Sequence, residues 1–337
     1  MTLLARDEAD IVDAHLAFHL NAGVDFVVAT DHRSRDGTTE TLEAYEREGC
    51  LHLIREHGEV LQQSAWVTRM ARLAATEFGA DWVIDSDADE FWWPRGGDLK
   101  QALANVPEGY GLVRAVWRNF LPRPDDGRFF ADRMTVRLQS SAPINDPSNQ
   151  YRPNFKIAHR ADPDVVVEAG NHGLGDGRFR TLGGWRPLEI LHFPLRSFAQ
   201  YEQRYRAIWT ALGTAHRADH VRVERAREEG RLADAYETLV LHDEALELGL
   251  AGGLLVEDAR LRDALLRIGR PDGGGTLRFP LPAVGTPRLD FPAPTAEEEA
   301  GHAVDAAAAE EADVVRLQRR VDELEAKLAQ VQHRARR

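Results

Sequence analysis

The sequence predicts an α/β protein with a central, mostly parallel sheet flanked by helices, a helical C-terminal extension and a short terminal coiled coil. Short β-rich apolar runs alternate with helical periods over residues 1 to about 120, the pattern of βαβ units. Helical composition then runs from Ser197 to about Ile268, and a heptad repeat closes the chain.

The candidate strands are Thr2–Ala5, Phe26–Thr30, Leu51–Arg55, Trp82–Asp85 and Leu112–Trp117. Between the third and fourth, Trp66, Met70, Leu73 and Ala74 recur at i, i+4, i+7 and i+8, so one helix face lies on the sheet while Arg69, Arg72 and Glu77 stay wet. Residues 120–195 are rich in Pro, Gly, Asn, Asp and Arg without sustained periodicity, and read as loops and short strands laid over the sheet's end. Ser197 is placed to cap a helix through Tyr201, Tyr205, Ile208 and Leu212. The expected division is an α/β domain over 1–195, a helical extension over 196–268, a Pro/Gly-rich and then acidic linker over 269–312, whose acidic part from Ala296 to Ala312 reads as a solvated helix or as disordered, and a coiled-coil helix over 313–337. Val314, Leu317, Val321, Leu324, Leu328 and Val331 are spaced 3, 4, 3, 4, 3, a seam through which the chain self-associates. A single amphipathic helix docked on its own domain is the alternative.

Composition bounds the function. Among 337 residues, 43% hydrophobic with seven Trp, there is enough apolar surface for a full core. Lys+Arg 42 against Asp+Glu 55 leaves a net charge of −13, which disfavours a bulk electrostatic grip on nucleic acid. The lone Cys50 makes no internal disulfide and fits a reducing compartment. The N-terminus is charged by its sixth residue and lacks an apolar signal core, and no run approaches the roughly 20 apolar residues of a membrane span. A soluble, cytoplasmic protein is expected, with the basic tail QHRARR as its one feature for peripheral membrane contact.

WVIDSDADEFWW, residues 82–93, is the most informative stretch: an apolar strand ends in Asp85, Asp87, Asp89 and Glu90. On an extended segment side chains two apart point the same way, so Asp87 and Asp89 converge. Carboxylates about 4–6 Å apart repel by a few kcal/mol, and a hard divalent cation turns that repulsion into binding energy. The C-terminal end of a parallel strand is also where open α/β sheets place ligands. An EF-hand is rejected, because its turn position is Glu90 instead of Gly and its twelfth is Gly96 instead of Glu. An aspartyl-phosphate phosphohydrolase would use Asp85 as nucleophile and Asp87 as acid, but places that pair on its first strand. A solvated loop is the remaining alternative, opposed by Phe91, Trp92 and Trp93.

Thr30 to Thr38, TDHRSRDGT, follows a second strand and opens a helix. Asp31 stands where an acid can accept hydrogen bonds from a base or ribose, while Ser34 and Asp36 suit helix capping. Neither GxGxxG nor GxxxxGK[ST] occurs, so a cation at Asp87 and Asp89 is left to hold phosphates. His15 and His19, at i and i+4, lack a further ligand nearby and are read as packing.

VIDSDADEF resembles the metal-binding DxD segment of family 2-like glycosyltransferases of the GT-A fold, in particular the branch whose segment reads DxDEF. RDEADIVDAHLAFHLNAGVDFVVATDHRSRDGTTETL is similar to that branch's opening, in which a nucleotide-contacting turn precedes a helix, a YHxxxGv-like segment and a D-x-x-S-x-D-G-T loop. ILHFPLRSFAQYEQR resembles its HY-x-x-K-S segment ahead of a helix. The three motifs, in order, cover about residues 1–205.

The resemblance implies that Ala5, Arg6, Asp7, Glu8 and Asp31 contact the uracil and ribose of a UDP-type donor, with Ser34 and Asp36 shaping that pocket. It implies Mg²⁺ or Mn²⁺ on the diphosphate held by Asp87 and Asp89, with His192 as third ligand or diphosphate contact. The chain departs from the pattern at Asp7-Glu8, where Asn-Glu is commoner, at Phe193 for Tyr, and at Arg196 for Lys. The implied activity is metal-dependent, inverting transfer of a sugar from a nucleotide donor to an acceptor hydroxyl on a glycan, lipid or protein. Asp89 supplies charge at the reaction centre, and inversion needs a general base, for which Glu168 is the first choice and Asp146 and Glu90 the others. His172 and Arg196 are candidates for diphosphate or acceptor. Trp92, Trp93 and Trp117 are candidates to stack on a sugar, with core packing the alternative. A different class remains open: a non-catalytic nucleotide-sugar-binding module tethered by its coiled coil.

Overall fold

The computed structural model describes residues 1–144, 146, 149–175, 177–212, 218–269, 279 and 289–335. Its N-terminal half runs β1 (Thr2–Ala5), α1 (Val12–Asn21), β2 (Val27–His32), α2 (Thr38–Arg47), β3 (Leu51–Glu56), α3 (Gln63–Thr76), β4 (Trp82–Asp87), β5 (Glu90–Pro94), α4 (Leu99–Ala104) and β6 (Leu112–Asn119). The chain continues through α5 (Phe130–Arg133), β7 (Val136–Leu138), β8 (Phe155–Arg160), β9 (Leu188–His192), α6 (Phe198–Leu212), α7 (Ala218–Glu228), α8 (Leu232–Glu237), α9 (Asp243–Ala251), β10 (Leu255–Glu257), α10 (Arg260–Arg267) and α11 (Ala296–Ala335).

Eight strands form one curled, mixed sheet in the order β3-β2-β1-β4-β8-β6-β9-β5. The first four are mutually parallel, as alternating strands and helices require. Their register sets Ala5 beside Asp31 and Leu4 beside Asp87, so the first turn, the loop after β2 and the acidic stretch all start from one row. β8 pairs antiparallel with β4 and β6, and β9 pairs parallel with β6 and antiparallel with β5. Residues 120–195 therefore do more than cover the sheet's end: β8 and β9 are interior members of it. Their sequences, FKIAHR and LEILH, are too short for periodicity to reveal.

One face of the sheet is covered by α1, whose ten residues are all buried, together with α2 and α10. α3 covers the other face with Trp66, Val67, Met70, Ala71 and Ala74, against Val28, Val83 and Ile157. Each fully buried side chain of this size contributes about 1.5–3 kcal/mol. Ser197 caps α6 as expected, its Oγ accepting from the Gln200 N–H at 3.1 Å. Ile208 and Leu212 carry side chains outside the described residues.

α11 takes the helical alternative for the acidic segment, but it is seated on the sheet instead of solvated. It opens on a capping box, Thr295 and Glu298 each accepting from the other's backbone N–H at 3.3 and 2.7 Å. Its acidic first half lies on the sheet: Ala306 and Ala309 pack against Val116 and Phe155, and Glu299, Asp305, Glu310 and Asp313 pair with Arg95, Arg118, Arg186 and Arg114. Acids that read as solvated in isolation are thus matched to arginines far away in the chain. Beyond them Val314, Leu317 and Val321 of the heptad seam are exposed, while Leu324, Leu328 and Val331 lie outside the described residues. Among the described residues no helix is long and apolar enough to cross a membrane.

Candidate active site

β4 stops at Asp87, Ala88 and Asp89 make the turn, and β5 begins at Glu90. The Glu90 carboxylate folds back and accepts the Asp87 N–H at 3.1 Å, while Ser86 Oγ donates to the carbonyls of Asp87 and Glu90 at 3.1 and 3.3 Å. The bend breaks the two-residue alternation, so the acids diverge. Asp87 is held by Lys156 Nζ and by Asn171 Nδ2 at 3.3 Å, whereas Asp89 faces His192 and Arg204.

Asp89 Oδ2 lies 3.8 Å from His192 Nε2 and accepts from Arg204 Nη1 at 3.3 Å. Burial lowers the His192 pKa well below its ordinary value, with Arg204 and Lys156 adding to the effect, so the ring is neutral. Its Nδ1 meets Asn119 Oδ1 at 2.8 Å, and the amide's orientation is fixed because Nδ2 donates to the Tyr151 carbonyl at 2.9 Å. The proton is therefore on Nδ1, and a bare Nε2 lone pair faces a carboxylate. Trp117 stacks on the ring at 4.1 Å. Two acceptors facing each other without a proton between them fit a cation. Ligand atoms of Asp89, Glu90 and His192 lie within 4.8 Å of one another; Asp87 is outside that group. Glu90 is the weakest of the three, since Oε1 already meets Lys156 Nζ at 3.0 Å and the Trp117 Nε1–H at 3.0 Å. Burial pushes its pKa up to about 8 against the pull of Lys156, with Asp87 and Asp89 adding to the rise.

A cleft of about 310 Å³ adjoins this corner, lined among others by Ala5, Arg6, Glu8, His32, Asp87 and Arg204. Its floor is the turn after β1, stitched to the loop after β2. Asp7 N–H donates to Ser34 Oγ at 3.0 Å, Glu8 N–H to Thr38 Oγ1 at 2.8 Å, Ala9 N–H to Asp36 Oδ2 at 3.0 Å, and Arg35 N–H to Asp7 Oδ1 at 2.8 Å. Asp31 braces the same loop, accepting from Ser34 N–H at 3.2 Å and Thr39 Oγ1 at 2.6 Å. Gly37 starts α2 at φ 105°, a region that favours glycine. Among the described residues the three non-glycine positions with positive φ, Asp7, Arg33 and Asn171, all stand around this corner. A larger cleft of about 640 Å³ opens at the opposite end of the strands, beside Met1, Phe26 and Trp82, away from the carboxylates.

The remaining predicted residues fall in different places. Arg196 is buried and saturated: it meets Asp10 at 2.6 and 2.9 Å, Glu8 at 2.5 Å and the Phe193 carbonyl at 3.1 Å. It clamps the first turn to the end of β9. Trp117 is buried, and His172 is held between the Phe155 carbonyl at 2.6 Å and Asn154 at 3.4 Å. Glu168 is exposed on the turn that carries Asn171. Trp92 and Trp93 are core. His19 accepts the Trp92 N–H at 3.0 Å and His15 meets Ser86 at 3.1 Å, the packing role expected of them. Asp85, fully buried between Thr2 at 2.7 Å and His159 at 3.3 Å, is inaccessible as a nucleophile.

Sequence reasoning missed Lys156, Asn119, Asn171 and Arg204. A signal existed for the first: only three of the 42 basic residues are lysine, and Lys156 sits in an apolar run.

No family model matches the chain, and no curated protein does. Solved structures do. The mannosyltransferase PcManGT from Pyrobaculum calidifontis, in complex with GDP-Man and Mn²⁺, is 17% identical over 75% of this chain and 74% of its own, with a TM-score of 0.33. S. aureus TarS residues 1–349 are 14% identical over 66% and 67%, at 0.31, and the same protein with UDP-GlcNAc is 13% identical over 69% and 70%, at 0.30. At these scores function has to be read from the site's own geometry.

Proposed function

We propose that this chain is a metal-dependent glycosyltransferase of the GT-A type, moving a sugar from a nucleoside-diphosphate donor, UDP-linked in the first instance, to an acceptor hydroxyl with inversion. The observation that carries it is the bare His192 Nε2 facing Asp89 at 3.8 Å beside the cleft floored by the first turn. A mixed imidazole and carboxylate set suits Mn²⁺ better than Mg²⁺, which prefers oxygen alone. Asp89 and His192 would hold the ion, while Asp87, held by Lys156 and Asn171, lines the adjoining cleft. When bound, it neutralises the departing diphosphate.

The chain's own residues supply the rest. Arg204 at the cleft wall and Lys156, kept charged by Asp87 and Glu90 despite burial, offset phosphate charge. Ala5, Arg6 and Glu8 line the nucleoside end; Asp31, Ser34 and Asp36 act by holding that wall in shape. Arg196 acts by fixing Glu8, and Trp117 and His172 by packing the centre, not by stacking on a sugar. Glu168, exposed on the Asn171 turn, is the candidate base on the acceptor side. Self-association through the exposed Val314, Leu317 and Val321 face is part of the same proposal.

The test is the melting temperature of the full chain with UDP, GDP or ADP, each with and without Mn²⁺. A ligand at 100 times its dissociation constant adds about 2.7 kcal/mol. A UDP shift that requires Mn²⁺ and disappears in Asp89→Asn supports the reading, and donor turnover then separates a transferase from a binding module. No shift with any nucleotide under either condition overturns it.

A further inference from the structure

His192 is the end of a buried hydrogen-bond chain that begins on the C-terminal helix. Asp305 of α11 accepts from the Ser141 N–H at 2.7 Å and from Ser140 Oγ at 2.6 Å. Ser141 Oγ accepts from Asn119 Nδ2 at 2.8 Å, and Asn119 Oδ1 accepts the His192 Nδ1 proton at 2.8 Å. Asp305, Ser141 and Asn119 are each 1% exposed, so water does not compete along this path. Asp305 is anchored in turn by Arg118 Nη1 at 2.6 Å. Only one orientation of the Asn119 amide satisfies Ser141, Tyr151 and His192 together.

We propose that α11 is a working part of the candidate metal site: through Asp305, Ser141 and Asn119 it holds His192 in the Nδ1–H tautomer, with the Nε2 lone pair toward Asp89. Asn119 and Asp305 are positioning residues. Partners of a ligand imidazole's second nitrogen set its tautomer and orientation. Docking of the helix and competence of the site are then one event, so anything that lifts α11 from β6 weakens the ion's seat. This inference rests on the metal-dependent reading above.

The experiment uses the full chain. Mn²⁺ affinity is titrated by the EPR signal of free ion, and the His192 tautomer of the metal-free protein is read from its ¹⁵N shifts. Asn119→Leu is expected to lower Mn²⁺ affinity about 10–100-fold and to release the ring to the Nε2–H tautomer. Asp305→Ala moves both readouts in the same direction by less, and isosteric Asp305→Asn serves if that variant does not fold. Glu310→Gln, which breaks an exposed docking pair outside the chain of bonds, leaves both unchanged. Retention of Nδ1–H and of affinity within about twofold in Asn119→Leu and the Asp305 variant overturns the inference. Failure of the unaltered protein to bind Mn²⁺ overturns the proposed function instead. The tautomer readout still decides the positioning role: a switch in the Asp305 variant upholds it, and no switch sinks it.

Discussion

The floor of the cleft beside the carboxylates and the seat of α11 are both polar, yet they are built on different scales. The cleft floor joins Asp7 to Ser34, Glu8 to Thr38 and Ala9 to Asp36, pairs 27 to 30 residues apart, mostly between backbone N–H groups and short side chains. The helix seat joins Arg118 to Asp305 and Arg95 to His302, 187 and 207 residues apart, and Arg118 and Asp305 are buried together. A neutral hydrogen bond contributes about 1 kcal/mol net, whereas removing one partner of a buried ion pair costs roughly 3–5 kcal/mol. The floor shapes a ligand site and tolerates erosion; the seat is all or nothing.

Arg118→Met gives the largest effect on that contrast. It leaves Asp305 and Glu189 short of a cation, and a loss of roughly 3–5 kcal/mol is expected in urea unfolding. A loss under about 1 kcal/mol would equate the seat with the floor. Asp89→Asn should separate function from stability: donor turnover falls about 10²–10³-fold while the urea midpoint hardly moves. A collapse of stability in that variant would make Asp89 structural.

Acid probes the seat through Glu189. Burial by itself would raise the Glu189 pKa, but Arg260, Arg118 and His302 outweigh it and hold the carboxyl down at about 2. Its folded value lies below the unfolded value of about 4.3, so its stabilisation is complete above that pH and is lost as pH falls from there toward 2. Melting temperature followed across this window should fall steeply in the unaltered protein and less so in Glu189→Gln. Equal slopes would remove Glu189 from the network. Thr38→Val, the smallest change, strips the Glu8 N–H of its acceptor and should cost about 1 kcal/mol, with weaker nucleotide binding as the distinctive sign.

Much of the cleft floor was legible in the sequence. Asp7, Ser34, Asp36 and Thr38 sit in a contiguous motif because the first two strands are parallel neighbours, and short loops from neighbouring strands have to meet. The carboxylate corner was half legible. DADE marks a strand end with acids, but the expected convergence of Asp87 and Asp89 assumed extended backbone through Ala88, where the chain turns instead. The Asp89 and His192 pairing follows from β5 lying antiparallel to β9, with Glu90 opposite His192. No local pattern in either segment encodes that register. Acids 296–312 read as solvated because the arginines that meet them lie on strands and loops more than a hundred residues earlier.

By itself the sequence determined the strands and helices of the parallel half, the row of polar residues at their C-terminal ends and the α/β class, because periodicity, caps and turn residues act over a few positions. Tertiary structure alone decided which acid meets the histidine, that Lys156 rather than solvent neutralises Asp87, and that α11 is seated on β6. Those outcomes depend on burial, which sets the strength of a charge pair and the proton position on an imidazole, and burial is a property of the whole chain's packing.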